Sequence, residues 1–145
     1  MIALIQRVSY ARLLVDDKPF SKIDEGILAL IGIEKTDVKS DSEKLLSKIL
    51  DYRIFNDEKG KMNLSIRDTG GCLMLVSQFT LAAQTMKGLR PSFSSAKQPK
   101  EAEEIYNYLV EMTKRTYEKT AFGKFGAHMR ITLENDGPVT FCLRI

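Results

Sequence analysis

Two apolar runs constrain the fold more than any other feature of this chain. Residues 26–33 are the continuous run GILALIGI, and residues 72–79, CLMLVSQF, are the most strand-like stretch of the sequence. Both runs are short enough to be buried strands. A third segment, residues 2–15 (IALIQRVSYARLLV), is rich in β-branched and aliphatic residues and predicts one long strand or two in succession, with a turn at residues 16–19. The chain is therefore predicted to be built around a sheet.

Two segments with helical periodicity are predicted to cover that sheet. Ser40 and Glu43 have the spacing of a capping box, which predicts a helix running to about Arg53. Its apolar face is Leu45, Leu46, Ile49 and Leu50. Pro99 opens the second helix, whose first turn is acidic and last turn basic, as the helix dipole favours. Its predicted inner face is Ala102, Ile105, Tyr106, Leu109, Met112 and Thr113.

The remaining segments are polar turns, one long loop and two final strands. Residues 56–60 and 69–71 are predicted turns. Residues 80–98 are polar and without periodicity, and loops of that length are often functional. Residues 127–133 and 139–145 predict two strands joined by the NDGP turn.

The bulk properties predict a single α/β domain, residues 1–145, that is mainly β with two covering helices. No window approaches 18 consecutive apolar residues, and the first 15 residues lack a charged leader and a cleavage site. A cytoplasmic protein without a membrane partner is therefore expected. Cys72 and Cys142 lie in strand-like runs without metal-ligand spacing, and both are expected to be buried, reduced thiols.

The side-chain inventory excludes several kinds of active site. His128 is the only histidine and no GxSxG motif accompanies it, so an ordinary strand side chain is favoured over a catalytic base. The sequence has no zinc-ligand spacing, no P-loop and no GxGxxG motif. No metal or cofactor is expected. Any chemistry would come from backbone groups, hydroxyls, amides or the substrate itself.

One polar cluster could supply such groups. Ser77, Gln78, Phe79 and Thr80 close the second apolar run and enter the long loop. The hydroxyls of Ser77 and Thr80 and the amide of Gln78 can donate and accept hydrogen bonds, while Phe79 can pack against a ligand. A strand end followed by a Ser/Thr turn is an equally good interpretation of these residues.

Basic residues are concentrated in two segments, although the net charge is only +3. Residues 84–100 contain no acid, and residues 112–130 contain one, Glu118. Their bases are Lys87, Arg90, Lys97, Lys100, Lys114, Arg115, Lys119, Lys124 and Arg130. If the two segments meet, they form a positive surface suited to phosphates. From charge alone, a solvated face remains the simpler alternative.

The segment Asp136-Gly137-Pro138 leaves two interpretations open. Asp-Gly between alternating apolar residues is typical of a hairpin turn. Pro138, however, removes a backbone donor where the return strand should begin, and an X-Pro bond is the one peptide bond that tolerates cis. A plain turn and a functional segment are both compatible with these residues.

Taken together, SQFTLAA at residues 77–83 and NDGPVT at residues 135–140 resemble the motif pair of the D-aminoacyl-tRNA deacylases. Supporting similarities are IQRVSYARLLVDD near the start, RIFNDEKGKMNLSI at residues 53–66, GLRPSF at residues 88–93 and FGAHM at residues 125–129. The resemblance covers essentially the whole chain, in the family's order and spacing.

The resemblance implies a homodimer of compact β-barrel-like protomers with active sites at the subunit interface. It implies hydrolysis of the ester that joins a D-amino acid, or glycine, to the terminal adenosine of tRNA. Gly137 and Pro138 would be joined by a cis bond and enter the partner's site, where their backbone carbonyls exclude an L side chain. Rejection of L substrates would then need no recognition of each D side chain.

The same resemblance implies roles for individual residues. Ser77, Gln78, Phe79 and Thr80 would form the catalytic pocket, with the 2′-hydroxyl of the terminal ribose assisting in place of a threonine nucleophile. Substrate or tRNA contacts would come from Lys87, Arg90, Met129 and Asn135. The expected partners are aminoacylated tRNA and a second copy of the chain, with no DNA.

Two positions depart from the family. An acidic residue is common where His128 stands, and an arginine or similar polar residue where Leu89 stands. Two other functions stay open on the residues alone. One is a small RNA-binding protein without hydrolytic activity, supported by the basic loop. The other is a structural dimerisation module, supported only by the strand-rich apolar content.

Overall fold

The strand β1 (Ile2–Val15) organises the sheet because it pairs with three other strands, all antiparallel. The computed structural model describes residues 1–86 and 88–145. Within them the main sheet also contains β2 (Lys18–Ile23), β3 (Gly26–Gly32), β6 (Cys72–Ser77), β7 (Thr120–Phe122) and β8 (Met129–Arg144). A separate small sheet joins β4 (Phe55–Asn56) to β5 (Met62–Leu64). The helices are α1 (Lys39–Asp51), α2 (Ile66–Thr69) and α3 (Pro99–Thr116), with a short 3₁₀ helix at Phe79–Ala82.

The main sheet curls into a nearly closed barrel. Its strand order is β2-β1-β3-β6-β7, with β8 on the other side of β1. The β3–β6 and β6–β7 pairs are parallel. The two ends of this path, β2 and β7, lie close to each other: the Ser21 hydroxyl of β2 donates to the Phe122 carbonyl of β7 at 3.0 Å. The predicted fold class, a barrel-like α/β sheet with two covering helices, is confirmed.

The two apolar runs are strands that bury both faces, which is why their hydrophobicity does not alternate. On β3, Ile27 and Ile31 lie in the core beneath the helices, whereas Leu28 belongs to a second cluster inside the barrel. On β6, Leu75 and Met74 divide in the same way. The helices contribute the predicted apolar faces: Leu45, Leu46, Ile49 and Leu50 of α1, and Ala102, Ile105, Tyr106 and Leu109 of α3.

Several local predictions are wrong. The helix α1 begins at Lys39, and the carboxylate of Asp41 accepts the N–H of Val38 at 3.0 Å, so Ser40 and Glu43 do not form the capping box. Cys142 is exposed and Cys72 is half-buried. Cys142 occupies an outward-facing position of β8, a strand that the described residues pair on one side only.

In the described part of the chain, no helix is both long and apolar enough to cross a membrane.

Candidate active site

A cavity of about 460 Å³ opens where β3 and β6 end. Its walls are largely apolar: Ile31, Ile33, Val76, Ala102, Phe125, Met129 and Ile131. The polar side chains on its lining are Ser77, Gln78, Lys97 and His128. An apolar pocket with a few polar groups at its rim is the usual form of a small-molecule site.

The cavity is located here because the chain leaves the sheet after Ser77. The N–H of Gln78 donates to the Ile31 carbonyl at 2.7 Å, and the next residues turn into the 3₁₀ helix. That helix lies close to β3, since a Cβ added to Gly32 would stand 2.8 Å from the Cβ of Leu81. Glycine is therefore needed at position 32 for this approach.

A buried tyrosine supports the same strand from below. The hydroxyl of Tyr106 donates to the Leu75 carbonyl at 2.9 Å. Burial raises the pKa of Tyr106 above its ordinary value, because the phenolate would lose its hydration. The hydroxyl therefore stays a hydrogen-bond donor at physiological pH.

Three of the four residues in the predicted catalytic cluster line the cavity: Ser77, Gln78 and Phe79. Thr80 is exposed and does not line it, but its hydroxyl accepts a hydrogen bond from the Gln78 side-chain amide. Among the described residues, no histidine, lysine or carboxylate bonds to Thr80. The part of the chain that the structure describes therefore gives this hydroxyl no general base.

The N–H groups of Phe79 and Thr80 are the first two of the 3₁₀ helix, where intrahelical partners are missing. They lie beside the polar rim of the cavity, because Phe79 lines it. Such N–H groups can stabilise negative charge that develops on a reacting oxygen.

The second predicted motif does not form a hairpin. β8 runs from Met129 to Arg144 without reversing, paired with β1 on both sides of the NDGP segment. Asn135 lies opposite Val8 and Thr140 opposite Gln6, so residues 136–139 stand opposite Arg7 alone. The predicted turn between two strands is therefore wrong. The segment is a bulge in one long strand, and its extra residues leave the ladder.

The bulge exposes Gly137 and Pro138, whose peptide bond is cis. The φ of Gly137 is +134°. Asn135 braces the bulge: its side-chain oxygen accepts the Val139 N–H at 2.7 Å, and its amide donates to the Thr140 hydroxyl at 2.9 Å. We refer to residues 136–139 as the bulge below.

Arg7 anchors the bulge, and sequence reasoning missed it. Its Nε donates to the Asp136 carbonyl at 3.1 Å and lies 3.0 Å from the Asp136 carboxylate. Its Nη1 donates to the Ile54 carbonyl at 2.7 Å. Arg7 is only 8% exposed. The sequence did carry a signal for this: alternate residues of a strand face the same way, so Arg7 lies on the same side of β1 as the buried Ala3 and Ile5.

The bulge does not line the cavity of its own protomer. Met129, which lines the cavity, pairs with Val15, whereas Asn135 pairs with Val8, seven positions away along β1. Gly137 and Pro138 are absent from the cavity lining.

The predicted tRNA contacts are dispersed. Met129 lines the cavity, but Asn135 braces the bulge and is absent from the lining. Arg90 is exposed in the loop and lies outside the cavity wall, and Lys87 is outside the described residues. Of the two positions that depart from the family, His128 stands exposed on the lining and Leu89 is fully exposed in the loop.

Parts of the two basic segments line the cavity: Lys97 of the first segment and residues 125–129 of the second. Among the basic residues that the structure describes in these segments, only Lys97 is on the lining, so a joint positive surface stays a prediction. The Nζ of Lys97 donates to the Lys35 carbonyl at 2.8 Å and lies 3.6 Å from Glu101. Within the described residues, no group of three or more histidine, cysteine or carboxylate side chains could hold a metal ion.

Comparison with known proteins identifies the family. Residues 4–144 match the family model for D-Tyr-tRNA(Tyr) deacylase. The chain belongs to this family of deacylases. A D-aminoacyl-tRNA deacylase of Dichelobacter nodosus is 52% identical over 145 residues, and one of Photorhabdus laumondii is 49% identical, each with 100% of both chains covered. These matches confirm the predicted family and the prediction of a hydrolase, and they support D-aminoacyl-tRNA deacylase function.

Two solved structures are also similar. One, described as a c-Myc DNA Unwinding Element Binding Protein, has a TM-score of 0.95 and 39% identity, covering 100% of this chain and 99% of that chain. Another, a probable eukaryotic D-amino acid tRNA deacylase, has a TM-score of 0.88 and 15% identity, covering 99% of this chain and 98% of that one. At that identity the second likeness concerns the fold alone.

Proposed function

We propose that this chain hydrolyses the ester of D-aminoacyl-tRNA and of glycyl-tRNA, and spares the L-aminoacyl ester. One observation carries the proposal: three residues of the SQFT motif line a cavity of about 460 Å³, in a chain that belongs to the deacylase family. Water adds to the ester carbonyl carbon, the bond to the ribose oxygen breaks, and that oxygen leaves with a proton. The products are a free D-amino acid, or glycine, and uncharged tRNA.

The cavity suits the terminal aminoacyl-adenosine. Apolar walls such as Phe125 and Met129 match the adenine ring, and the rim groups of Ser77 and Gln78 match the ribose and ester oxygens. Arg90 and Lys87 are proposed to attract the phosphates that precede the terminal nucleotide. The protein is proposed to act as one domain in the cytoplasm, where aminoacyl-tRNA is used.

A second copy of the chain is proposed to complete each site. The outer edge of the 16-residue strand β8 pairs with no described strand, and a long free edge favours pairing with another chain. Gly137 and Pro138 do not line the cavity of their own chain. They are therefore proposed to reach a site as part of a partner copy.

The bulge is proposed to select the substrate by exclusion. Glycine lets the backbone come close to the α-carbon of the bound aminoacyl group, since it carries no side chain of its own. An L side chain would meet the bulge, whereas a D side chain points away and glycine has none. This mode of rejection would let the site accept many D residues without a pocket for each.

The 2′-hydroxyl of the terminal ribose is proposed to assist the attack. Thr80 accepts a hydrogen bond from Gln78 and has no base among the described residues, an arrangement that does not activate it as a nucleophile. Correct positioning alone contributes on the order of 7–11 kcal/mol to barrier reduction in the best intramolecular cases. The N–H groups of Phe79 and Thr80 are proposed to stabilise the oxyanion.

Replacing Thr80 with alanine is expected to change kcat for D-tyrosyl-tRNA by less than about tenfold. Loss of a covalent nucleophile would instead lower kcat by about 10⁴-fold or more. The measurement is release of labelled D-tyrosine from tRNA by wild-type and Thr80→Ala protein. A matched substrate whose terminal adenosine lacks the 2′-hydroxyl should be hydrolysed at least about 100-fold more slowly by both. Retained turnover of the 2′-deoxy substrate would contradict the proposed assistance.

A further inference from the structure

Two phenylalanines form an exposed pair at the rim of the cavity. Phe79 is 63% exposed and Phe93 is 41% exposed. Their ring centroids are 5.1 Å apart, with an angle of 50° between the rings. Apolar rings left in water are costly, so a pair of this size beside a site suggests that something else covers it.

The pair is held in place by the backbone on both sides. Phe79 begins the 3₁₀ helix, and the loop that carries Phe93 is closed by a two-way bridge. In that bridge, the Gln84 N–H donates to the Ser92 carbonyl at 2.8 Å, and the Ser92 N–H donates to the Gln84 carbonyl at 3.0 Å. The Ala96 N–H donates to the Phe93 carbonyl at 3.0 Å, which fixes the turn that follows Phe93. A ligand on these rings would therefore pay little ordering entropy.

The loop that carries Phe93 is basic. Arg90 is exposed three residues before Phe93, and residues 84–100 contain no acid. Lys97 stands at the cavity wall, where its Nζ also lies 3.6 Å from the Glu101 carboxylate. Exposed aromatic rings within a basic surface are the combination that binds single-stranded nucleic acid, through base stacking and phosphate attraction.

We propose that Phe79 and Phe93 stack on the nucleobase that precedes the terminal adenosine of the tRNA. This inference rests on the proposed function, because the cavity must hold the terminal nucleoside. Since Phe79 lines that cavity, the preceding base of an unpaired 3′ end arrives next to the pair. The pair would then bind the acceptor strand one nucleotide before the terminal adenosine that carries the reacting ester.

The test uses an uncharged RNA hairpin with an unpaired 3′ end and 2-aminopurine in place of the penultimate base. Stacking quenches its fluorescence, so wild-type protein is expected to quench it on binding. Phe93→Leu should abolish most of the quenching and weaken binding about tenfold. Phe93→Tyr, which keeps a ring, should restore both. The matched control is Phe20→Leu, since Phe20 is 52% exposed on β2, away from the cavity lining.

Two results would overturn the proposal. One is unchanged quenching in Phe93→Leu. The other is a shift of Phe93→Leu to a smaller species in sedimentation equilibrium, because a second copy of the chain would then be what covers the rings. Uncharged RNA separates this test from the proposed activity: absence of ester hydrolysis would refute the deacylase proposal and leave the fluorescence result standing.

Discussion

Replacing Gly137 with alanine is expected to lower the ratio of kcat/KM for D-tyrosyl-tRNA over L-tyrosyl-tRNA about 100-fold. The φ of Gly137 is +134°, a region that alanine rarely adopts. An added Cβ would stand 2.6 Å from the Cγ2 of Val139, 2.9 Å from its nitrogen and 3.2 Å from an Nη of Arg7. The bulge must therefore move, and displacement of a positioning group by about 1 Å can cost a factor of 100.

Gly60→Ala is the matched control for this change. Gly60 also has a positive φ, +74°, but a Cβ there would meet nothing within 4 Å. It lies in the turn between β4 and β5, so alanine there also meets a positive-φ penalty, although a smaller one, without touching the bulge. Wild-type selectivity is expected for Gly60→Ala. If Gly137→Ala also kept wild-type selectivity, the bulge could not be what rejects L substrates.

Replacing Arg7 with methionine is expected to lower the free energy of unfolding by about 2 kcal/mol and to reduce selectivity as well. The methionine keeps an apolar stem but leaves the carbonyls of Ile54 and Asp136 without their donor. An unsatisfied buried polar group costs about 1–3 kcal/mol, and water can partly replace the lost bond at exposed Asp136. Urea unfolding measures the first effect, and paired D and L time courses measure the second.

Asp136→Asn separates the anchor from the ion pair. It removes the carboxylate, which is 54% exposed, but keeps the backbone carbonyl that Arg7 bonds. An ion pair so accessible to water contributes only about 0–1 kcal/mol, so the loss should be small. Equal destabilisation by Arg7→Met and Asp136→Asn would mean that the salt bridge, and not the carbonyl contacts, holds the bulge.

The sequence was sufficient for the strands that are buried on both faces. β3 and β6 were predicted because a short apolar run bounded by turn residues is typical of a strand that is buried on both faces. β2 was missed, since Lys18–Ile23 begins beside a proline and is mostly exposed. β7 has three residues, and its existence depends on pairing with β6, a partner that local pattern cannot reveal.

The candidate site was predictable in its parts and unpredictable in its arrangement. The polar cluster after β6 was visible as a strand end, and three of its members line the cavity. The NDGP segment carries a local turn signal, yet its flanks both pair with β1, more than 100 residues earlier, and the pairing converts the turn into a bulge. Arg7 anchors that bulge through contacts that exist only in the folded chain.

The most direct test of the account is a deacylation time course on D-tyrosyl-tRNA and L-tyrosyl-tRNA, matched in tRNA and measured with catalytic amounts of purified protein. Rapid release from the D ester with the L ester left intact is the predicted result. Equal inertness toward both esters would contradict the proposed activity and favour a protein that binds RNA without hydrolysing it. Hydrolysis of both esters at similar rates would keep the enzyme but contradict selection by the bulge.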